Sequence, residues 1–238
     1  MGITPAHVRR PLYAALRDGR TPLEDQEALA ANWLRAQPGS PMILVSAIRD
    51  FGNSTLADDF PRTAVEKLGR HTSVSHRGPL LVAWPAAENL SQLQHADEAT
   101  AICVIEGGDV LQQPWLRAQR AIDLATGERL ESRSDLVSAV VAVALKSLVP
   151  KLNGLSSSFD RPTVIDALCH LKAGGYEIDP AGVYEFALQA GAEGDEALLM
   201  HEVANGLRKG HNYRRSQRLK PEIVRRWESE AAALTDLP

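Results

Sequence analysis

Three short apolar runs constrain this chain more than anything else in it. Residues 41–48 read P-M-I-L-V-S-A-I, residues 79–84 read P-L-L-V-A-W, and residues 101–106 read A-I-C-V-I-E. Each has the length of a strand, is bounded by turn-forming residues, and is apolar at consecutive positions. A strand apolar on both sides must be covered on both sides, which is the situation of a parallel sheet.

The intervening stretches carry helical spacing. Residues 21–37 place Leu29, Trp33 and Leu34 on one side, with Thr21 as cap, Pro22 in the first turn and Glu24 closing a capping box. Residues 61–68 read as a short helix, 86–96 as one carrying Leu90 and Leu93, and 115–125 as one carrying Leu116, Ile122 and Leu124. A further helix is expected over 5–18, with a break at Pro11. Strand alternating with helix predicts crossover connections of one hand. Residues 71–76 offer a short edge strand, so the expected sheet is small and parallel, with three to four strands.

The longest apolar run lies just past the midpoint, at residues 134–149: S-D-L-V-S-A-V-V-A-V-A-L-K-S-L-V. Ser134 suits an N-cap, Asp135 and Lys146 suit the two poles of the helix dipole, and Pro150 stops it. Leu136, Val140, Val143, Ala144 and Leu148 fall on one face, and Val137, Val141 and Leu145 widen it, so burial on most sides is expected. A membrane span needs about 20 apolar residues. This run is shorter and is interrupted by Ser138, Lys146 and Ser147, so it predicts a buried central helix, packed against the sheet and joining the two halves.

Residues 151–159 read as a linker. Helices are then expected from Asp160 (face Val164, Ile165, Leu168, Leu171), from Asp179-Pro180 (Val183, Phe186, Ala190), from Asp195 (Leu199, Val203, Leu207) and from Pro221 (Ile223, Trp227, Leu234). The fold class is therefore α/β followed by an α-helical domain. Its expected layout is a small α/β domain over 1–133, the central helix over 134–150, and a helical domain over 160–238. Aromatic residues make up only 5%, so the core must be aliphatic. Cys103 and Cys169 both sit in apolar segments and are expected as buried free thiols in a reducing compartment. No membrane contact is expected. The first ten residues hold no apolar core of signal-peptide length, so a cytoplasmic protein is expected.

Two places invite chemistry. In open parallel sheets, ligands sit beyond the carboxyl ends of the strands. Those ends carry Arg49, Asp50 and Asn53, then Trp84, then Glu106 and Asp109. Asp50, Glu106 and Asp109 are the candidate oxygen ligands for a Mg²⁺, with Asp50 and Glu106 as catalytic candidates for a metal-dependent phosphoryl or phosphodiester hydrolase. No spacing rule ties these carboxylates together, so whether the protein is an enzyme stays open. Gly107-Gly108 follows a strand, but no third glycine or Gly-Lys-Ser/Thr arrives in register, and no cofactor is implied. The seven histidines and two cysteines show no zinc spacing, and no G-x-S-x-G elbow occurs.

The second place is L-R-K-G-H-N-Y-R-R-S-Q-R-L-K-P-E-I-V-R-R, residues 207–226, with eight Lys or Arg and one acidic residue, Glu222. The segment is +7 in a chain of −4, leaving −11 for the rest. Segregated positive charge can hold phosphate even in an acidic protein. The candidate binding residues are Arg208, Lys209, Tyr213, Arg214, Arg215, Arg218, Lys220, Arg225 and Arg226. They point to a non-catalytic binding protein whose partner is nucleic acid or an acidic protein. The competing reading is a solvated loop pairing with Glu193, Asp195, Glu196 and Glu202. Residues 179–210 also spell helix, turn, helix, but the second helix begins D-E-A-L-L-M-H-E, and an acidic first turn does not suit a DNA groove.

Overall fold

The computed structural model describes residues 11–17, 19, 21–69, 74–96, 98–133, 136–152 and 160–235. The chain divides into two compact units: Met1–Gln112 with Gln119–Leu130, and Gln113–Ala118 with Glu131–Pro238.

The first unit is built on one parallel sheet of six strands. These are β1 (Leu12–Leu16), β2 (Met42–Val45), β3 (Val65–Lys67), β4 (Pro79–Ala83), β5 (Ala101–Ile105) and β6 (Ile122–Asp123), in the order β3-β2-β4-β5-β1-β6. The three expected strands are the adjacent trio β2, β4 and β5. Their ends are level, since Val45 pairs with Ala83 and Ala83 with Ile105. Leu80, Leu81, Val82, Ile102, Cys103 and Val104 are all buried, as residues on both faces of a covered strand must be. One face packs Ala14, Ile43, Val45, Leu81 and Cys103 against α1 (Leu23–Ala36), α2 (Ile48–Gly52) and α3 (Leu56–Asp59).

The sheet is larger than expected because three strands lie where helices were expected. Residues 12–16, L-Y-A-A-L, favour helix locally. Between β5 and β6, however, the backbone is bonded on both sides and Ala14, Ala15 and Leu16 are buried, so tertiary context overrides propensity. The remainder of the expected helix over 5–18, apart from Pro11 and Arg17, lies outside the described residues. Residues 61–68 form a short 3₁₀ turn, Arg62–Ala64, and then the edge strand β3. Glu66 and Lys67 are exposed on β3, which guards that edge. The expected helix over 115–125 is displaced to α5 (Gln112–Ala118) and followed by β6. In the expected edge strand over 71–76, residues 74–76 are not strand and 71–73 lie outside the described residues. The helix at 21–37 is α1, but Pro22 is its N-cap and no side-chain cap forms. Residues 86–96 hold α4 (Ala87–Leu90), tightening into a 3₁₀ turn, Ser91–His95.

The second unit is helical. It contains α6 (Ala139–Leu148), α7 (Asp160–Ala173), α8 (Pro180–Gln189), α9 (Gly194–Arg208) and α10 (Ile223–Thr235). The run at 134–149 becomes α6, which begins later than expected. Ser138 is its cap, with Oγ accepting from Val141 N at 3.4 Å, while Ser134 and Asp135 lie outside the described residues. Val141, Ala144, Leu145 and Leu148 form the buried stripe, and Val140 is only half-buried. Within this unit α6 packs against α10, α8 and α7. Trp227 of α10 is buried and donates its indole N–H to Ser147 Oγ at 3.1 Å. Leu234, expected on the same face as Trp227, is 58% exposed; Ala231 takes the buried position one turn after Trp227. Asp179 caps α8 as expected, accepting from Gly182 N at 2.6 Å. An ion pair between half-buried Arg117 and buried Glu185, Nε to Oε2 at 2.8 Å, ties α5 to α8.

Among the described residues no helix is long and apolar enough to cross a membrane.

Candidate nucleic-acid interface

The basic segment spans the end of α9, an irregular loop and the start of α10. α9 ends through Gly210, at φ +83°, whose N–H bonds to Leu207 O at 3.1 Å while His211 N returns to Gly206 O at 2.9 Å. This is the left-handed turn by which helices commonly close. Lys172 of α7 donates to Leu207 O, satisfying one of the last carbonyls of α9.

The loop beyond is fixed by one buried carboxylate. Asp166 of α7 is 0% exposed. It accepts from Ser216 N at 2.7 Å, Ser216 Oγ at 2.8 Å, Arg218 N at 2.7 Å and Leu219 N at 3.2 Å. Burial pushes this carboxyl up, but the four donors together outweigh it and hold it below the ordinary aspartate value. One turn on, His170 Nε2 lies 2.9 Å from Leu219 O; a carbonyl can only accept, so that nitrogen carries the proton. Gly206 completes the fit, since a Cβ there would collide with the hydroxyl of Tyr213. His211 and Tyr213 meet edge to face, with ring centroids 6.2 Å apart.

The clamp leaves the cations outward. Arg208, Lys209, Arg214, Arg215, Arg218, Lys220, Arg225 and Arg226 are all exposed, and Tyr213 is half-buried. Arg226 bonds to Glu230 at 2.7 Å and Arg208 to Asn205 at 3.2 Å. Two of the acidic residues expected to neutralise the loop are engaged elsewhere. Glu202 accepts from the two terminal guanidinium nitrogens of Arg161 at 2.8 and 3.1 Å, and that pairing holds its carboxyl down. Glu196 accepts from Glu193 N at 3.0 Å in the capping box of α9.

Between α7, the end of α9 and the loop lies an open pocket of about 520 Å³. Cys169, expected to be buried, is half-exposed in its wall, whereas Cys103 is fully buried in β5. Burial raises the Cys169 thiol pKa and Arg215 pulls it back, leaving it above the ordinary value. The Cys103 thiol is pushed far up by burial alone.

The sheet edge assembles differently. Asp50 lies in α2, half-buried, with Arg49 Nε 3.5 Å from its Oδ1. Glu106 follows β5 and is buried. Asp109 is committed to the backbone, accepting from Ala87 N at 3.0 Å and Leu111 N at 2.9 Å. Asp50 and Glu106 leave the sheet from β2 and β5, with β4 between them, a separation of roughly 10 Å at the strand ends. Trp84, directly after β4, has φ +52°, and a Cβ on Gly107 would strike it at 2.9 Å. Gln112 laces these loops together, accepting from Gly107 N at 2.9 Å and donating to Pro85 O. Among the described residues no group of three His, Cys, Asp or Glu side chains gathers as metal ligands would.

Asp166 and His170 were not singled out by sequence as site residues. Their spacing of four puts them on one face of a helix, but nothing in the sequence says which element covers that face.

Residues 137–228, from the start of α6 into α10, match the model of a domain of unknown function (DUF1889). No curated protein and no solved structure matches the chain. The matched stretch contains both the Asp166 clamp and the whole basic segment.

Proposed function

We propose that this is a non-catalytic binding protein whose basic segment, residues 208–226, contacts nucleic acid. The observation that carries the reading is the Asp166 clamp: a buried carboxylate fixes the loop from inside and leaves its cations facing solvent. A loop held in one shape loses little conformational freedom on binding. Arg214, Arg215 and Lys220 then offer phosphate contacts, with Tyr213 and His211 as rings among them. The test is fluorescence anisotropy with a labelled single-stranded oligonucleotide across a salt series. Binding that weakens linearly in log–log form as salt rises is expected; no binding at low salt removes the reading.

A metal-dependent hydrolase at the sheet edge is the second reading, favoured by one observation, the buried Glu106 at the carboxyl end of β5. With Asp109 held by backbone donors, Asp50 and Glu106 would have to supply the protein ligands. Calorimetric Mg²⁺ binding that disappears in the Asp50→Ala, Glu106→Ala double variant is the expected outcome. An unchanged titration, or no binding in the parent protein, ends that reading.

A further inference from the structure

We propose that the pocket between α7, the end of α9 and the basic loop binds a nucleoside monophosphate, presented free or as the phosphorylated end of a strand. This rests on the nucleic-acid reading and gives it a specific subsite.

The pocket's chemistry selects an anion. Lys172, Arg215, His211 and Asn212 bring donors from a helix and from the loop, and no carboxylate lines it. Asp166 acts on Cys169 electrostatically, but its oxygens already receive four hydrogen bonds from the loop. At about 520 Å³ the pocket falls within the range that holds small ligands. Tyr213 supplies an aromatic wall of the kind on which bases stack. A terminal phosphate monoester carries more negative charge near neutral pH than an internal diester, because its second ionisation lies near pH 6. Lysine and arginine together therefore favour an end over the middle of a strand.

The pocket is also held in shape. Asp166 and His170 fix the outer loop, Lys172 is tied to Leu207 O, and the glycine at 206 makes room for the Tyr213 hydroxyl. A site of this kind exists before its ligand arrives.

Cys169 provides the readout. It is half-exposed in the pocket wall, while Cys103 is fully buried, so iodoacetamide on the native folded chain reports on Cys169. Labelling is followed by mass spectrometry with saturating AMP, with adenosine, and with neither, alongside calorimetric titration of AMP. AMP is expected to slow labelling about tenfold and adenosine to leave it unchanged, because the phosphate supplies the binding. In parallel, a 5′-phosphorylated oligonucleotide is expected to bind about tenfold more tightly than its 5′-hydroxyl twin. Arg215→Gln should erase that preference and, because it also removes one phosphate contact, lower the affinity of both oligonucleotides.

If AMP neither protects Cys169 nor gives a calorimetric signal, and the two oligonucleotides bind equally, the pocket proposal is overturned and the nucleic-acid reading stands. AMP protection with no oligonucleotide binding identifies the free nucleotide as the ligand and overturns the nucleic-acid reading.

Discussion

At the scale of single residues, Asp166 has the widest reach. Its carboxylate gathers three backbone N–H groups and one hydroxyl from the loop at 216–219. Asp166→Ala removes charge-assisted bonds and is expected to cost about 2–4 kcal/mol, read by chemical denaturation. It should also weaken oligonucleotide binding, since the cations lose their fixed spacing. The same residue sets an acid limit. Its folded pKa is lowered, so its contribution is fully present above the unfolded value of about 3.9. That contribution is lost as pH falls through the lower folded value. The difference in stability between parent and Asp166→Ala is therefore expected to be constant above about pH 5 and to shrink below about pH 4. A difference that instead shrinks as pH rises would show that the ionised carboxylate is not the stabilising species. Sequence alone does not disclose this role, because an aspartate in a helix reads as surface until the element covering it is known.

At the scale of elements, α6 shows how far a pattern reaches. The run at 134–149 is apolar on nearly every side, so its helical nature and its burial can both be read from the chain. Which residues face inward cannot, since an all-round apolar helix has no preferred face. The structure places Val141, Ala144, Leu145 and Leu148 inward and leaves Val140 half-buried. Val141→Asp is accordingly expected to destabilise by about 3–5 kcal/mol, as an unpaired buried charge does. Val140→Asp, one position away, should cost clearly less, because its carboxylate retains water. Thermal denaturation of the two variants decides it: equal losses would mean that the inward stripe is misassigned. Strand β1 is the opposite case. L-Y-A-A-L is a poor strand by propensity and becomes one through its partners, and no window of five residues contains the position of β5.

At the scale of the whole molecule, charge is partitioned: +7 in residues 207–226 and −11 in the remainder. An acidic protein with one basic segment should bind polyanions through that segment only, with repulsion elsewhere. The double variant Arg214→Ala, Arg225→Ala is expected to flatten the log K versus log salt slope by about 1.4 for a single strand, two contacts at about 0.7 each. An unchanged slope would show that these two cations do not meet phosphate. The sequence by itself determined the α/β class, the three central strands, the helical character of the second half and the segregation of charge. These follow from local period, local capping and simple counting. Only the tertiary structure decided that the sheet has six strands, that Asp109 serves backbone while Asp166 fixes the basic loop, and that Cys169 opens onto a pocket. Those outcomes depend on pairings between residues distant in the chain. A carboxylate or a thiol is chemically the same group in sequence whether its neighbours leave it in water, enclose it, or aim donors at it.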